Sequence, residues 1–191
     1  ELSKTKTSIS YLGYSITPQH IGLNEKIIVR IKKKISYIIY KHLIQPIKHN
    51  TICNRNVTIF DDKDVVVTLQ EIRRYIYGDL SEKKIQEFLF GGTAQIHFKG
   101  LLSNFPLIDD VEQLKSLDGW MANSLMRALR RRYTLLNMQH IFKYKKSTVF
   151  IKDYEKNKNK GYCIPSFRLL YNALKKGIKL NGLHFNGFYN S

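Results

Sequence analysis

Cysteine is scarce in this sequence and forms no recognisable motif. The chain has 2 cysteines, Cys53 and Cys163, which lie far apart. They predict neither a disulfide framework nor a zinc site, and a reducing cytoplasm is the expected compartment. His42 and His49 lie at intervals from Cys53 that a metal site can use, but no fourth ligand is evident. We therefore expect no metal to be bound by this chain.

Long hydrophobic runs are also missing. No stretch approaches the length of a membrane-spanning helix, the first residues do not form a secretory signal, and no apolar insertion face accompanies the positive charge. A membrane is therefore not an expected partner. The 43% hydrophobic content still supports a packed core. The sequence starts at Glu1 and opens almost inside a strand, so we expect it to be part of a longer polypeptide.

Acidic residues are scarce in the first and last thirds of the chain. Residues 1–60 have ten lysines and arginines against two acidic residues, and residues 119–191 have fifteen against two. Residues 61–118 have seven against eleven. A generic solvated surface would mix the two signs, whereas this chain has a net charge of +17 in two separate basic blocks. The pattern favours a polyanion that contacts the first and last thirds.

The first structured stretch has the period of two that is typical of β-strands. Polar and apolar residues alternate in Ile9–Tyr11 and again in Tyr14–Ile16. Gly13 interrupts the pattern, as glycine does at a tight bend. Residues 18–20 can turn the chain so that Ile21–Leu23 pairs back. The prediction is a β-hairpin at the edge of a small domain.

A long basic helix is predicted over residues 24–43, with Asn24 as its N-cap and Pro46 at or beyond its end. Glu25 is its only acidic residue, so ion pairs within the helix cannot account for its cations. A basic face with an aromatic residue among the cations suits contact with phosphates and with sugars or bases. A solvated face that only keeps the helix soluble is the alternative. The residues of this face are Lys26, Arg30, Lys33, Lys34, Tyr37 and Lys41.

The middle of the chain predicts three more helices. One covers residues 65–77 and ends at Gly78, and a second runs from a Ser81 cap to residue 90. Residues 93–106 are irregular, with Phe98 and Phe105 as core residues. The third and longest begins at residue 109 or 110, where Gly119 is expected to admit a neighbouring helix and Trp120 to anchor packing. Its exposed cations, Arg127, Arg130, Arg131 and Arg132, form a cluster that favours nucleic acid.

The last third has a less regular pattern. Residues 143–160 predict a short strand at 148–151 followed by a mobile loop, and residues 57–60 earlier in the chain also suit a short strand. A final helix is expected over residues 166–176, with Pro165 in its first turn and Gly177 at its end. No structure is predicted for residues 181–191.

The hairpin and the helix that follows it resemble a known arrangement. The pattern aromatic-Leu-Gly-aromatic-x-Ile, running directly into a basic helix, resembles the end of the palm and the start of the thumb in reverse transcriptases. Residues 71–78, 100–107 and 117–120 resemble the C-terminal parts of bacterial defence-associated reverse transcriptases, the abortive-infection-like or "unknown" groups. The residues of the hairpin pattern are Tyr11, Leu12, Gly13, Tyr14, Ser15 and Ile16.

The resemblance implies a role for each part of the segment. The hairpin would be the primer grip, formed by Tyr11, Leu12, Gly13 and Tyr14, and the basic helix would lie along the template–primer duplex. The intact enzyme would be an RNA-directed DNA polymerase of antiphage defence that uses an RNA template, a DNA or RNA primer and Mg²⁺ in its palm. A dedicated non-coding RNA and assembly into oligomers are further expectations of the resemblance.

No catalytic residue is expected within this segment. Asp61 and Asp62 are adjacent, as in the palm of a reverse transcriptase, but they follow the hairpin instead of preceding it, and Ile59 stands where an aromatic residue should be. They are predicted to begin a helix or form a turn. The segment alone would therefore hold no Mg²⁺.

The expected fold is mainly α, with a β-hairpin leading into a helical thumb-like bundle and a small basic C-terminal helical part. The expected divisions are residues 1–23, 24–138 and 139–191. Two other functions stay open at this point. One is a stand-alone, non-catalytic nucleic-acid-binding module, and the other is a helical assembly or interaction domain.

Overall fold

In a computed structural model of the protein, the described residues are 8–49, 62–91, 96–157 and 163–182. They form a small antiparallel sheet followed by helices, so the predicted mainly α class is confirmed. The last strand leads directly into the first helix. The elements are β1 (Ile9–Tyr11), β2 (Tyr14–Ile16), β3 (Ile21–Leu23), α1 (Glu25–Ile39), α2 (Gln45–Lys48), α3 (Lys63–Tyr77), α4 (Glu82–Leu89), α5 (Val111–Leu135), α6 (Ser147–Asn157) and α7 (Phe167–Asn181).

The three strands pair in the order β1-β2-β3 through two tight turns. Leu12 and Gly13 form the first turn with φ angles of 45° and 88°, the left-handed values that match the twist of a hairpin. A Cβ on Gly13 would also lie 2.8 Å from Phe105 Cε1. The predicted tight bend at Gly13 and the return of residues 21–23 are therefore confirmed.

The outer edge of β3 is covered by the start of α5. The Ile21 amide donates to Asp109 Oδ1 at 2.6 Å, and the Leu23 amide donates to Gln113 Oε1 at 2.7 Å. Gln113 Nε2 donates back to the Leu23 carbonyl at 3.0 Å. These bonds satisfy backbone groups at an edge strand that would otherwise be open, and they fix the sheet to α5.

Helical structure continues past the predicted end of the first helix at residue 43. Asn24 caps α1 as predicted, since its Oδ1 accepts from the Ile27 amide at 3.0 Å. Helix α1 itself ends at Ile39, but the π-helical segment Tyr40–Ile44 carries the chain directly into α2, where Pro46 occupies the first turn. A wider π turn accommodates proline, which has no N–H and would crowd the carbonyl four residues earlier.

Helices α1 and α5 run parallel, side by side. Three pairs of contacting residues have almost the same separation in sequence: Ile21 and Asp109 at 88, Leu23 and Gln113 at 90, and Leu43 and Arg132 at 89. A constant separation means that the two segments of the chain run in the same direction and stay level with each other along their length. The apolar faces of α1, α3 and α5 meet in one core that also holds Phe98 and Phe105, as predicted.

The helix ends of the middle region agree with the sequence. Asp62 caps α3, which confirms its predicted place at a helix start, and Gly78 ends that helix. Ser81 caps α4, and Asp110 caps α5. Gly100 packs against the end of α3, where a Cβ would lie 2.0 Å from the Ile76 carbonyl oxygen, so no larger residue fits.

Predictions about local structure are wrong at Gly119, at residues 148–151 and at Gly177. A Cβ on Gly119 would meet no atom within 4 Å, so this glycine admits no neighbouring helix. The strand predicted at 148–151 is part of α6, because Phe150 and Tyr154, four residues apart, are both buried against the core. Helix α7 continues through Gly177 to Asn181, since Ile178 still packs on the core. The strand predicted at 57–60 lies outside the described residues.

Helix α7 is docked through hydrogen bonds at its start and in its second half. Ser166 caps it, and Pro165 precedes this cap instead of lying in the first turn. Asp118 of α5 accepts from the Phe167 amide at 2.7 Å and from Ser166 Oγ at 2.8 Å. Lys176 Nζ donates to the Phe88 carbonyl at the end of α4 at 2.7 Å. The buried side chains of α6 and α7 belong to the same cluster as those of α1 to α5, and the division at residue 139 stays a prediction.

Candidate nucleic-acid interface

The predicted cationic face of α1 is exposed to solvent along its whole length. The buried positions Ile31, Ile35 and Ile38 hold the opposite side of the helix against the core. Positions three and four apart in a helix share a face, so the cations form one continuous row. The exposed residues of this cationic face are the six predicted ones, Lys26, Arg30, Lys33, Lys34, Tyr37 and Lys41, the last of which lies in the π-helical segment that continues α1.

Most of the cations in this row have no acidic partner. Within the described ranges, no ion pair involves Lys26, Arg30, Lys33 or Lys34. Their charge is therefore available to an external anion. Exposed lysine and arginine without a nearby carboxylate are the residues that bind a phosphate backbone with little regard to base sequence.

Lys41 differs from the other cations of the row. Its Nζ lies 3.4 Å from Glu71 Oε1 on α3, and His42 Nε2 lies 2.9 Å from the same oxygen. Burial on its own would raise the pKa of the Glu71 carboxyl, but His42 and Lys41 outweigh it and lower that pKa. Glu71 therefore stays ionised and partly neutralises the charge of Lys41. The row of cations without an acidic partner thus ends before Lys41.

The hairpin places its four predicted grip residues in different environments. Tyr11 and Leu12 are 63% and 75% exposed at the first turn. Gly13 forms the turn itself. Tyr14 points into the core, where its ring packs edge-on against Phe105 at 5.5 Å between centroids, and burial raises the pKa of its hydroxyl. Only Tyr11 and Leu12 can therefore touch a ligand through their side chains, whereas Tyr14 anchors the hairpin.

Asn24 ties the hairpin turn to the first turn of α1. Its amide donates to the Gly13 carbonyl at 2.8 Å, and its side-chain Nδ2 donates to Ser10 Oγ at 3.1 Å. The same residue caps α1. The exposed turn and the beginning of the cationic face are consequently held in a fixed relation by a single residue.

The arginine cluster of α5 is divided between surface and core. Arg127, Arg130 and Arg131 are exposed as predicted, and Arg130 Nη2 donates to the Tyr144 carbonyl at 2.8 Å. The predicted exposure of Arg132 is wrong, since only 1% of this residue is exposed. It cannot contact a nucleic acid while the protein is folded.

Arg132 joins the ends of three helical segments. Its Nε donates to Asp62 Oδ2 at 2.8 Å, and its Nη2 donates to Asp64 Oδ2 at 2.7 Å. Its Nη1 donates to the Leu43 carbonyl at 3.0 Å. Tyr133 adds a longer hydrogen bond from its hydroxyl to Asp62 at 3.4 Å, and burial raises its pKa. The guanidinium therefore links the start of α3, the π-helical segment and the end of α5.

The sequence contains a signal for the buried arginine that residue type alone obscures. Arg132 follows Leu125 and Leu129 at intervals of four and three, so it lies on the apolar stripe of α5. Arg127 and Arg131 lie off that stripe. Helical position, rather than the run of arginines, separates the buried residue from the exposed ones.

A polar cleft lies beside the sheet, away from the cationic face. Its volume is about 370 Å³. Its walls come from β2, β3 and the start of α5. No group of three histidine, cysteine or acidic residues suited to a metal occurs in the described part of the chain, and Cys53 lies outside it. The residues lining the cleft are Ser15, Thr17, Gln19, His20, Gly22, Asp110 and Gln113.

Comparison of this chain with protein-family models, with curated proteins and with solved structures finds no match. Among the helices that the structure describes, none combines the length and the apolar character needed to cross a bilayer.

Proposed function

We propose that this chain is the primer-grip and thumb-like portion of a bacterial defence-associated reverse transcriptase, and that it binds template–primer duplex along α1. The observation that carries the proposal is the row of exposed cations on α1, which begins where Asn24 holds the hairpin turn. The hairpin turn and α1 then form a single unit. The turn can contact the primer end, and the cationic face can contact the sugar–phosphate backbone.

The dimensions of α1 suit this role. Its 15 residues span about 22 Å, at 1.5 Å for each residue. That length corresponds to about six base steps, at 3.4 Å along one strand of a duplex. A row of cations of this length can contact several successive phosphates. Tyr11 and Leu12, at the other end of the unit, offer exposed apolar surface to a terminal nucleotide.

The chemistry of DNA synthesis is assigned to a palm that precedes residue 1 in the intact enzyme. Asp62 and Asp64 are engaged with Arg132, and Asp110 caps α5, so their roles here are structural. Mg²⁺ would be bound in that palm, and the RNA template and the primer would be bound on the surface that the palm shares with this segment. The 191-residue chain alone should incorporate no nucleotide with any template, primer or divalent ion. An upstream strand–turn–strand with an aromatic-x-Asp-Asp turn would support the assignment.

A salt titration of binding tests the role of α1. Replacing Arg30, Lys33 and Lys34 with glutamine removes the positive charges but keeps an unbranched polar side chain of similar helix propensity. If each contacts a phosphate, the slope of log affinity against log salt should fall by roughly 0.9 for each lost contact. The loss should be similar on two duplexes of unrelated sequence, because backbone contacts carry no sequence information.

A matched variant separates local contact from net charge. Lys83, Lys84 and Lys115 are exposed cations on α4 and α5, and two of them pair with a glutamate on their own helix. Changing all three to glutamine removes the same charge and should leave the slope nearly unchanged. Equal slopes for both triple variants would mean that α1 is a solvated face, and the thumb assignment would then depend on the hairpin pattern alone.

A stand-alone nucleic-acid-binding module would use the same surface without a primer. Exchange of Tyr11 and Leu12 for alanine in the intact protein distinguishes the two functions, because both side chains are exposed and their loss should not disturb folding. A primer grip predicts a fall in primer extension that is larger than the fall in duplex affinity. A simple binding module, or a helical assembly domain, predicts no such difference.

A further inference from the structure

Two tyrosines are exposed at the C-terminal end of α1. Tyr37 is 57% exposed and Tyr40 is 43% exposed, and the spacing of three residues makes them neighbours on one face. Each ring has a lysine beside it: Lys34 Nζ lies 5.9 Å from the Tyr37 centroid, and Lys48 Nζ lies 5.6 Å from the Tyr40 centroid. Aromatic surface and positive charge are thus combined in the last turn of the helix.

The two halves of the α1 surface therefore differ in chemistry. The first half has Lys26, Arg30 and Lys33 as its exposed cations, and no exposed aromatic residue lies among them. A paired duplex presents phosphates to such a surface, while its bases are stacked inside. An unpaired strand presents both phosphates and free base faces, and exposed aromatic rings stack on those faces. The second half of α1 matches the unpaired form.

Helix α5 presents two exposed cations level with the C-terminal end of α1. Lys32 Nζ lies 5.9 Å from the Trp120 centroid, so the Trp120 edge of α5 borders α1. Arg127 and Arg131 follow Trp120 at intervals of seven and eleven residues, which places them on this same edge. Because Leu43 meets Arg132, the parallel register brings Arg127 and Arg131 level with the end of α1. The π-helical segment, which starts at Tyr40, packs directly against α5.

We propose that this end of the α1–α5 surface binds an unpaired stretch of nucleic acid. The two tyrosine rings stack on successive bases, and the surrounding cations hold the phosphates. The proposal rests on the proposed function only in taking nucleic acid as the partner, and it adds the form that is bound. A duplex lying along α1 would become single-stranded near Tyr37. The residues of this single-strand site are Lys34, Tyr37, Tyr40, Lys48, Arg127 and Arg131.

Binding of three labelled probes to the 191-residue chain tests the site. The probes are a single strand of about 12 nucleotides, which is within the range that one single-strand-binding fold covers, a blunt duplex of the same sequence, and that duplex with an unpaired tail. Replacing Tyr37 and Tyr40 together with alanine should weaken binding of the single strand and the tailed duplex about tenfold or more. The affinity for the blunt duplex should change less than about twofold, since its bases are not free to stack.

Two control variants make the result specific. Phenylalanine at both positions keeps the rings and should restore single-strand affinity to within about twofold, because stacking needs only the π-face. Phe90→Ala removes an exposed aromatic residue at the end of α4 and should have no effect on any probe. Circular dichroism of each variant checks that the helices are retained.

The outcomes separate this proposal from the function on which it rests. Unchanged single-strand affinity in the double alanine variant overturns the single-strand site, even if the Arg30, Lys33 and Lys34 variant still shows phosphate contacts with duplex. An equal loss on all three probes also overturns it, because the tyrosines would then act on backbone or folding. Binding of the same double alanine variant to anionic phospholipid vesicles is also measured. If it loses vesicle binding but keeps its single-strand affinity, the tyrosine rings are assigned to a membrane surface instead.

Discussion

The cationic face of α1 and the arginine cluster at the end of α5 are both rich in positive charge, yet they have different partners. On α1, Arg30 and Lys33 face solvent with no ion pair in the described ranges. On α5, Arg131 is exposed, whereas its neighbour Arg132 is buried against Asp62 and Asp64. The difference teaches that a run of cations predicts a surface only when helical position agrees.

The same comparison separates binding from folding. Cations that face solvent stabilise the folded state little and are free to bind an external anion. A buried arginine that forms a bidentate pair is needed for stability, because its removal would leave the paired carboxylate buried without a positive charge. The two regions should therefore respond differently to substitution, one in affinity and the other in the free energy of unfolding.

The largest effect is expected at Arg132. Arg132→Met would leave the Asp62 carboxylate buried without its partner, and breaking a buried pair in this way costs about 3–5 kcal/mol. Urea unfolding measures the loss of stability. Arg131→Met is the matched control and should cost no more than about 0.5 kcal/mol, because that side chain is exposed. Equal unfolding midpoints for the two variants would contradict the buried network.

A second effect of the buried region appears at high pH. Burial raises the pKa of the Tyr77 and Tyr133 hydroxyls above the ordinary 10.0, and the pKa of Tyr144 to about 12. A raised pKa means that the unfolded state loses its proton first. Stability is therefore complete below pH 10 and falls as the pH rises through the folded values. Tyr77 and Tyr133, which are almost fully buried, should each remove about 1.4 kcal/mol for each pH unit in this window.

Alkaline unfolding of Tyr133→Phe checks this assignment. The hydroxyl donates only a long hydrogen bond to Asp62, so the variant should be close to wild type at pH 8. It should lose less stability than wild type between pH 10 and pH 12, because one titrating group is gone. An unchanged alkaline profile would show that Tyr133 ionises in the folded protein as readily as in the unfolded chain.

The smallest effect is expected at the exposed arginines of α5. Replacing Arg127 and Arg131 with glutamine should not change the unfolding midpoint measurably, since neither side chain is buried. Single-strand affinity should fall several-fold, with a salt slope reduced by roughly 0.7 for each lost phosphate contact. If this variant lowers the stability of the protein but not its affinity for the single strand, then Arg127 and Arg131 contribute to folding and not to binding.

The local signals for helix starts were readable because they are contained in a few consecutive residues. A side chain that accepts from an amide two or three positions later needs no distant partner, and alternation in a strand needs only its own residues. The same holds for Gly13, whose positive φ is set by the two-residue turn. The predicted helix starts that the structure retains as caps are Asn24, Asp62, Ser81 and Asp110.

The predictions that failed depend on contacts distant in sequence. The β-branched side chains among residues 148–151 favour a strand. Burying Phe150 and Tyr154 on one face of a helix outweighs this strand preference. Helix α7 passes Gly177 because Ile178 still packs on the core, and this packing outweighs a helix-propensity cost of about 1 kcal/mol for a glycine. No window of neighbouring residues contains either contact.

The sequence by itself determined the mainly α class, the strand–turn–strand start and the exposed cationic face of α1. Periodicity and capping are local properties, so a short window of the sequence is enough to predict them. Only the tertiary structure decided that Asp62 and Asp64 are the partners of Arg132 and that α1 and α5 lie in parallel register. Asp62 reaches Arg132 from 70 residues away, and the Leu43 carbonyl reaches it from 89. The free energy of a charge depends on what surrounds it after folding, and composition does not contain that information.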